Sequence, residues 1–195
     1  MINKINIDNL ERFCKAFEGV SETPYLDSGN ILTIGIGHTN KSIAYFNENT
    51  IWSPKIIREV WLKDLNQAIK LANLWIIRPV PERMFDMAVD LIFNVGRPPT
   101  FIRKLNEGNF EEARNQLLRW IYDDGKVQLG LVKRCFARYM YFNDEDWKQF
   151  ANCKASSKDT SELNNLIEKL GYRLIFDSKT RFRLQRFKSP EDNNV

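Results

Sequence analysis

At 195 residues with 43% hydrophobic side chains, the chain is long enough for one sizeable core plus an appendage, and too apolar to be a disordered polypeptide. No apolar run reaches the roughly 18 residues of a membrane span, and the start, Met1 to Asp8, lacks the apolar centre of a signal peptide, so synthesis and folding in a cytoplasm are expected. The net charge of +4 and pI near 8.9 suit an anionic wall, an outer-membrane surface or nucleic acid equally well, so motifs must decide between them.

In chain order, Ile7, Leu10, Cys14 and Phe17 recur at helical spacing. With Asp8 or Asn9 as N-cap they predict a short amphipathic helix running to about Glu18, stopped by Gly19. Glu18 then sits where the helix dipole disfavours another negative charge, a setting suited to a general acid. After Pro24, residues 25–27 and 31–34 read as two strands around Ser28-Gly29-Asn30, a turn in which Gly and Asn accept positive φ. If Asp27 pairs with Ile31, period-two alternation puts Asp27 and Thr33 on one face as diagonal neighbours roughly 7–8 Å apart, with room for a water between them.

Residues 39–52 read as a polar loop with at most one helical turn. Ser53 and Pro54 start a long helix whose inner face carries Ile57, Trp61, Leu65, Ala68 and Ala72, and Pro79 and Pro81 end it. Phe85, Ala88, Val89 and Ile92 mark a buried helix, at whose end Asn94 either caps the backbone or lines a cleft floor. Asn109 starts a helix with Phe110, Ala113 and Leu117 inward, and another helix follows Gly130. Cys14, Cys135 and Cys153 lack metal-ligand spacing and read as reduced, packed thiols. No cofactor or metal is expected, because no clustered Cys, His or carboxylate ligands occur.

Two carboxyl groups across a cleft, one neutral and one ionised, are the minimum apparatus for cleaving a glycosidic bond. Spacing alone leaves the plain alternative open, a helix end followed by a solvated hairpin. The whole string says more. Glu18, eight residues, Asp27, five residues and Thr33, running on into Ile34-Gly35-Ile36-Gly37-His38, closely resembles the active-site signature of the phage-type lysozymes, glycoside hydrolase family 24. The likeness continues through Phe85 to Val89, Phe93 to Gly96, Arg103 to Gly108, Leu118 to Trp120 and Gly130 to Arg134. It spans roughly residues 8 to 142, and these blocks look most like the endolysins of lambdoid-type phages.

The resemblance implies a muramidase that cleaves the β-1,4 bond between N-acetylmuramic acid and N-acetylglucosamine in peptidoglycan. Glu18 would be the general acid, Asp27 the carboxylate that positions water, and Thr33 its hydroxyl partner, acting with inversion. Arg134 matches an arginine that the family keeps near the acid. His38, the chain's single histidine, matches a structural residue paired with the aspartate at Asp64, and Asn94 is a candidate substrate contact. The implied setting is peptidoglycan as substrate, a separate holin for export, and a monomer held in the host cytoplasm until it reaches the periplasmic wall. The chain departs from the family at Arg97-Pro98-Pro99-Thr100, a shortened and stiff version of a segment that lines the cleft in relatives. Cys135 and Phe136 also stand where relatives carry polar residues.

Beyond about residue 150 the resemblance stops. Residues 155–160 read as a linker, Leu163, Leu166, Ile167 and Leu170 mark a helix ending at Gly171, and residues 172–176 and 181–187 alternate as two strands before a disordered tail, Ser189 to Val195. Arg173, Arg181, Arg183 and Arg186 give this part a basic face that either grips anionic wall, lipopolysaccharide or nucleic acid, or is the solvated side of an extension packed on the rest. The expectation is therefore an α+β, lysozyme-like protein: a catalytic domain over 1–150, with a small sheet lobe and a larger helical lobe, and a basic extension over 151–195. The alternative is a weakly active or inactive protein of the same fold that binds wall or membrane through its basic surface.

Overall fold

The first helix starts where the sequence offers a side-chain acceptor and stops where it offers a glycine. Helix α1 spans Ile7–Glu18. Its N-cap is Asn6, two residues before the expected Asp8 and three before Asn9: Asn6 is extended, and its side chain accepts from the Asn9 N–H at 3.0 Å, a cap of about 1 kcal/mol. Asp8 and Asn9 are already helical and cannot serve. At the other end Gly19, at φ 73°, closes the helix by donating its N–H to the Lys15 carbonyl. Described in this computed structural model are residues 3–27, 29–39, 43–123, 125–177 and 181–187.

The chain divides into two compact units, Met1–Asn109 and Phe110–Val195, so the expected boundary at 150/151 falls inside the second. In the first unit, β1 (Ser21–Leu26) pairs antiparallel with β2 (Leu32–Gly35), with Leu26 opposite Leu32 and Tyr25 opposite Thr33. The register then shifts before Ser21 meets Gly35, and β1 begins earlier than alternation indicates, because this irregular stretch hides the period of two. Asp27 lies just past β1 and donates its N–H to the Ile31 carbonyl at 3.0 Å. Asn30 takes the left-handed conformation, at φ 60°.

Helix α2, Pro54–Trp75, is capped by Ser53, which accepts from the Ile56 N–H, and buries Ile57, Trp61, Leu65, Ala68 and Ala72 as periodicity predicts. It stops at Trp75, ahead of Pro79 and Pro81. A residue elsewhere in the unit holds this end in place. Asn106, on α4 (Pro99–Glu107), donates its amide to the Trp75 carbonyl at 2.8 Å and accepts from the Ile77 N–H at 3.0 Å. Between them, α3 (Glu82–Val95) is buried along most of its length. Two long-range bonds tie α1 to α3: the Asn6 N–H donates to Asp86 Oδ1 at 2.9 Å, and Cys14 Sγ lies 3.4 Å from Asp90 Oδ1. Glu11 joins α1 to α2 through Arg58 at 2.8 Å. The described part of the 39–52 loop contains no helix, and the Trp52 N–H anchors it to the Glu22 carbonyl at 2.8 Å.

The second unit contains α5 (Phe110–Leu117), the short strands β3 (Tyr122–Asp123) and β4 (Lys126–Val127), α6 (Leu129–Phe142) and α7 (Lys148–Asn152). It continues with α8 (Ser161–Glu168) and the hairpin β5 (Tyr172–Asp177) and β6 (Arg181–Arg186). The β3–β4 pair and α7 are too short to show a period in sequence. On α6, Phe136 stacks on Phe150 with ring centroids 5.6 Å apart and meets Tyr172 edge-on at 5.4 Å. The C-terminal hairpin therefore shares a core with α6, which a two-stranded ribbon needs for stability. Within 155–160, Ser156 and Asp159 exchange backbone hydrogen bonds in a compact turn. The tail Ser189 to Val195 and the turn at Ser178 to Thr180 lie outside the described residues. Among the described residues no helix is long and apolar enough to cross a membrane.

Candidate active site

The end of α1, the β1–β2 hairpin, the middle of α2 and the end of α3 surround one cavity of about 420 Å³, all within the first unit. Glu18, Tyr25, Asp27 and Thr33 line one side, Asp64, Gln67, Ala68 and Leu71 of α2 another, and Ile92, Phe93 and Asn94 of α3 a third.

Glu18 is half-buried and packs against a glycine. A methyl group placed on Gly37 would stand 3.3 Å from Glu18 Cδ and Oε2, and Gly37 has φ +68°, so both space and backbone require glycine here. Asp27 is held by its own turn: Oδ1 accepts from the Gly29 and Ile31 N–H groups, both at 2.9 Å. That fixes the carboxylate's direction and leaves Oδ2 without a protein donor among the described residues. Thr33, 2% exposed, donates its hydroxyl to the Ile31 carbonyl at 3.0 Å, so its oxygen remains an acceptor toward the cavity.

Sequence reasoning missed Tyr25 as a site residue. Burial, and then the negative charges of Glu18 and Asp27, push its phenol above the usual value, so it stays a hydroxyl donor at neutral pH in the field of both carboxyls. Its position two residues before Asp27, on the same strand face, was the available signal. Gln67 and Leu71 were missed too. They fall at i+3 and i+7 from Asp64, a stripe beside the buried face rather than on it.

His38 is buried between Phe46 and Trp52, with ring centroids 5.6 and 5.4 Å away. Its Nδ1 lies 2.6 Å from Asp64 Oδ2, and Nε2 lies 3.2 Å from the Ala44 carbonyl. Asp64 thus links the buried imidazole to the cavity wall. The α3 terminus is closed by Gly96, at φ 79°, which donates its N–H to the Ile92 carbonyl, and Asn94 is among the residues that line the cavity. Arg134 is buried on α6 of the second unit.

Two of the basic C-terminal residues have local partners. Arg173 pairs with Glu168 at 2.6 Å and lies 5.6 Å from the centroid of the Phe187 ring, while Arg186 lies 5.9 Å from that of Tyr172. Arg183 is exposed, and the Arg181 side chain lies outside the described residues. All three cysteines are buried and in no disulfide, and burial pushes the Cys135 and Cys153 thiols up, away from reactivity. No group of three or more His, Cys, Asp or Glu among the described residues could hold a metal.

Helices with small antiparallel hairpins, one of which carries an aspartate and a threonine to the same cavity as a helix-end glutamate, make a lysozyme-like α+β fold. Comparison with known proteins places it further. The phage lysozyme family model matches residues 15–138, and the chain belongs to that family of peptidoglycan-lysing muramidases. A SAR-endolysin of Enterobacteria phage P21 is 36% identical over 121 residues, covering 60% of this chain and 72% of its own. The endolysin of Bacillus phage B103 is 28% identical over 163 residues, covering 80% of this chain and 60% of its own. Among solved structures, the endolysin from Escherichia coli O157:H7 phage FAHEc1 superposes with a TM-score of 0.65 at 24% identity, over 71% of this chain and 92% of that one. A mutant P22 lysozyme gives 0.59 at 28% identity, over 72% and 98%.

Proposed function

We propose that the protein is an endolysin that hydrolyses the β-1,4 bond between N-acetylmuramic acid and N-acetylglucosamine in peptidoglycan. The observation that carries this reading is the convergence of Glu18, Asp27 and Thr33 on one cavity. Glu18 donates its proton to the glycosidic oxygen as the bond to the anomeric carbon breaks. A water held between Asp27 Oδ2 and Thr33 Oγ1 attacks that carbon from the opposite face and gives its proton to Asp27, which inverts the configuration. The turn that pins Asp27 Oδ1 and the carbonyl that takes the Thr33 hydroxyl proton leave two acceptors for the water, one hydrogen each. Tyr25 donates toward the developing charge, and Asn94 contacts the sugar. Arg134 is read, from its place in the family motif alone, as a supporting residue, and His38 with Asp64 as the brace behind the hairpin. The chain would act as a monomer on the periplasmic wall, reaching it from the host cytoplasm with the help of a separate holin.

The test is muropeptide release from purified peptidoglycan. Glu18→Gln removes the proton donor with little change in shape and is expected to lower the rate about 10²- to 10⁴-fold. Full activity in that variant would overturn the assignment, and lysis of cells without muropeptide release would indicate a membrane-active protein instead. The anomeric configuration of the first product distinguishes inversion from retention.

A further inference from the structure

The stripe of α2 that walls the catalytic cavity does not end there. Asp64, Gln67, Ala68 and Leu71 line the cavity, and the next positions at helical spacing, Leu74 and Trp75, line a second groove of about 550 Å³ between the end of α2 and α4. From Asp64 to Trp75 this stripe rises roughly 16 Å, so one helix supplies a wall to both grooves. The second groove is preformed. Asn106 fastens α4 to the Trp75 carbonyl and the Ile77 N–H, which holds both walls in register.

Its lining is bipartite. Leu74 and Ile77 are 68% and 83% exposed, and the Ile102 side chain joins them. Set against this apolar floor is Arg97, 5.3 Å from the centroid of the Trp75 ring and paired with no carboxylate among the described residues. The other charges of the groove neutralise each other, with Arg103 on Glu107 at 2.7 Å. The link is short: α3 closes at Gly96, α4 opens at Pro99, and Arg97 between them lies beside Trp75 at the end of α2.

We propose that this groove is a subsite for the stem peptide of the wall polymer, with Arg97 receiving a stem-peptide carboxylate and Leu74 and Ile77 receiving its small apolar side chains. The inference rests on the muramidase reading. The shared α2 wall sets the groove roughly 16 Å along the helix from the cavity where the glycan is cut, within reach of an extended stem of about five residues, and a lone guanidinium over an apolar floor matches a short peptide with free carboxylates better than an uncharged sugar. Arg97 stacked on Trp75 is pre-oriented, so a carboxylate binds it without first ordering a long side chain.

Binding is measured on the full-length Glu18→Gln protein, which separates recognition from turnover, using soluble glycan fragments that bear stem peptides and the same fragments after amidase removal of the peptides. The stem-bearing fragment is expected to bind about tenfold more tightly, the scale of one charge-assisted contact. Adding Arg97→Gln should bring the ratio of the two affinities close to one, and adding Leu74→Asp should reduce it severalfold. A ratio near one before any groove substitution, or one that Arg97→Gln leaves intact, overturns the subsite. Binding to neither fragment overturns the muramidase reading and this inference with it. Binding to both fragments with equal strength removes the subsite alone.

Discussion

The two longer hairpins of this protein are built on opposite plans. In β5–β6 every residue from Tyr172 to Asp177 has a partner, from Arg186 to Arg181, without interruption, and Tyr172 and Leu174 alternate inward. In β1–β2 the register shifts between Ser21 and Tyr25, and the pairing gives way at Asp27, whose side chain bonds the turn beyond it. The regular hairpin covers a core. The irregular one turns three side chains, Tyr25, Asp27 and Thr33, into a cavity and passes Gly37 against the end of a helix. Regular pairing satisfies the backbone most fully, and the departures from it occur where side chains must be aimed at something other than the neighbouring strand.

The largest effect expected from breaking this contrast is on the covering side. Phe136→Ala removes the ring that stacks on Phe150 and meets Tyr172, and should cost about 3–5 kcal/mol in urea unfolding. If the C-terminal hairpin were merely laid on the surface, the cost would be a small fraction of that. Asp64→Ala leaves the buried His38 Nδ1 without its acceptor and should cost about 1–3 kcal/mol, measured the same way, while loosening the loop behind β2.

Gly37→Ala and Gly125→Ala sharpen the comparison. Both positions have φ +68°, so each substitution should cost about 1–2 kcal/mol of backbone strain. Only at Gly37 does the added carbon meet a functional group, at 3.3 Å from the Glu18 carboxyl, whereas nothing lies within 4 Å at Gly125. A fall in kcat of about a hundredfold is expected from displacing Glu18. Equal kcat losses in the two variants would show that strain, not displacement, was being measured.

The smallest effect is a pH dependence in the link that Glu11 makes between α1 and α2. Burial raises the Glu11 carboxyl, but hydrogen bonds and charge from Lys15 and Arg58 outweigh it and hold the group below the usual glutamate range. A depressed folded value means stability that is fully present above the unfolded value of about 4.3 and is lost as the pH falls through the folded one. Unfolding free energy should therefore drop less between pH 7 and pH 3 in Glu11→Gln than in the parent, and an identical drop would remove Glu11 from the account.

Much of this architecture was legible before any coordinates. The α2 face at Ile57, Trp61, Leu65, Ala68 and Ala72 follows from a period that one helix imposes on its own residues, and the Ser53-Pro54 start is chemistry between neighbours. The Asp27 and Thr33 pair was legible for the same reason, since one turn and one register suffice to put them on a face. Other features could not be read so. The α2 terminus ahead of Pro79 is held by Asn106, 31 residues beyond the carbonyl it bonds, a contact that the nearby prolines do not report. Gln67 and Leu71 line the cavity because α2 presents to the hairpin a stripe beside its buried one, and a hydrophobic period reports only the buried one.

The sequence by itself determined the helices with long periods, the caps made by adjacent residues, the turn that aims Asp27, and a signature specific enough to name the family. Tertiary structure alone decided where those pieces meet: Gly37 against Glu18, Asp64 between His38 and the cavity, Arg97 on Trp75, and the C-terminal hairpin on Phe136. Local features follow from hydrogen bonds and side-chain spacing a few residues apart, which composition and order record directly. Contacts between residues far apart in the chain depend on how whole elements pack, and packing is a property of volumes and surfaces that no short window of sequence contains.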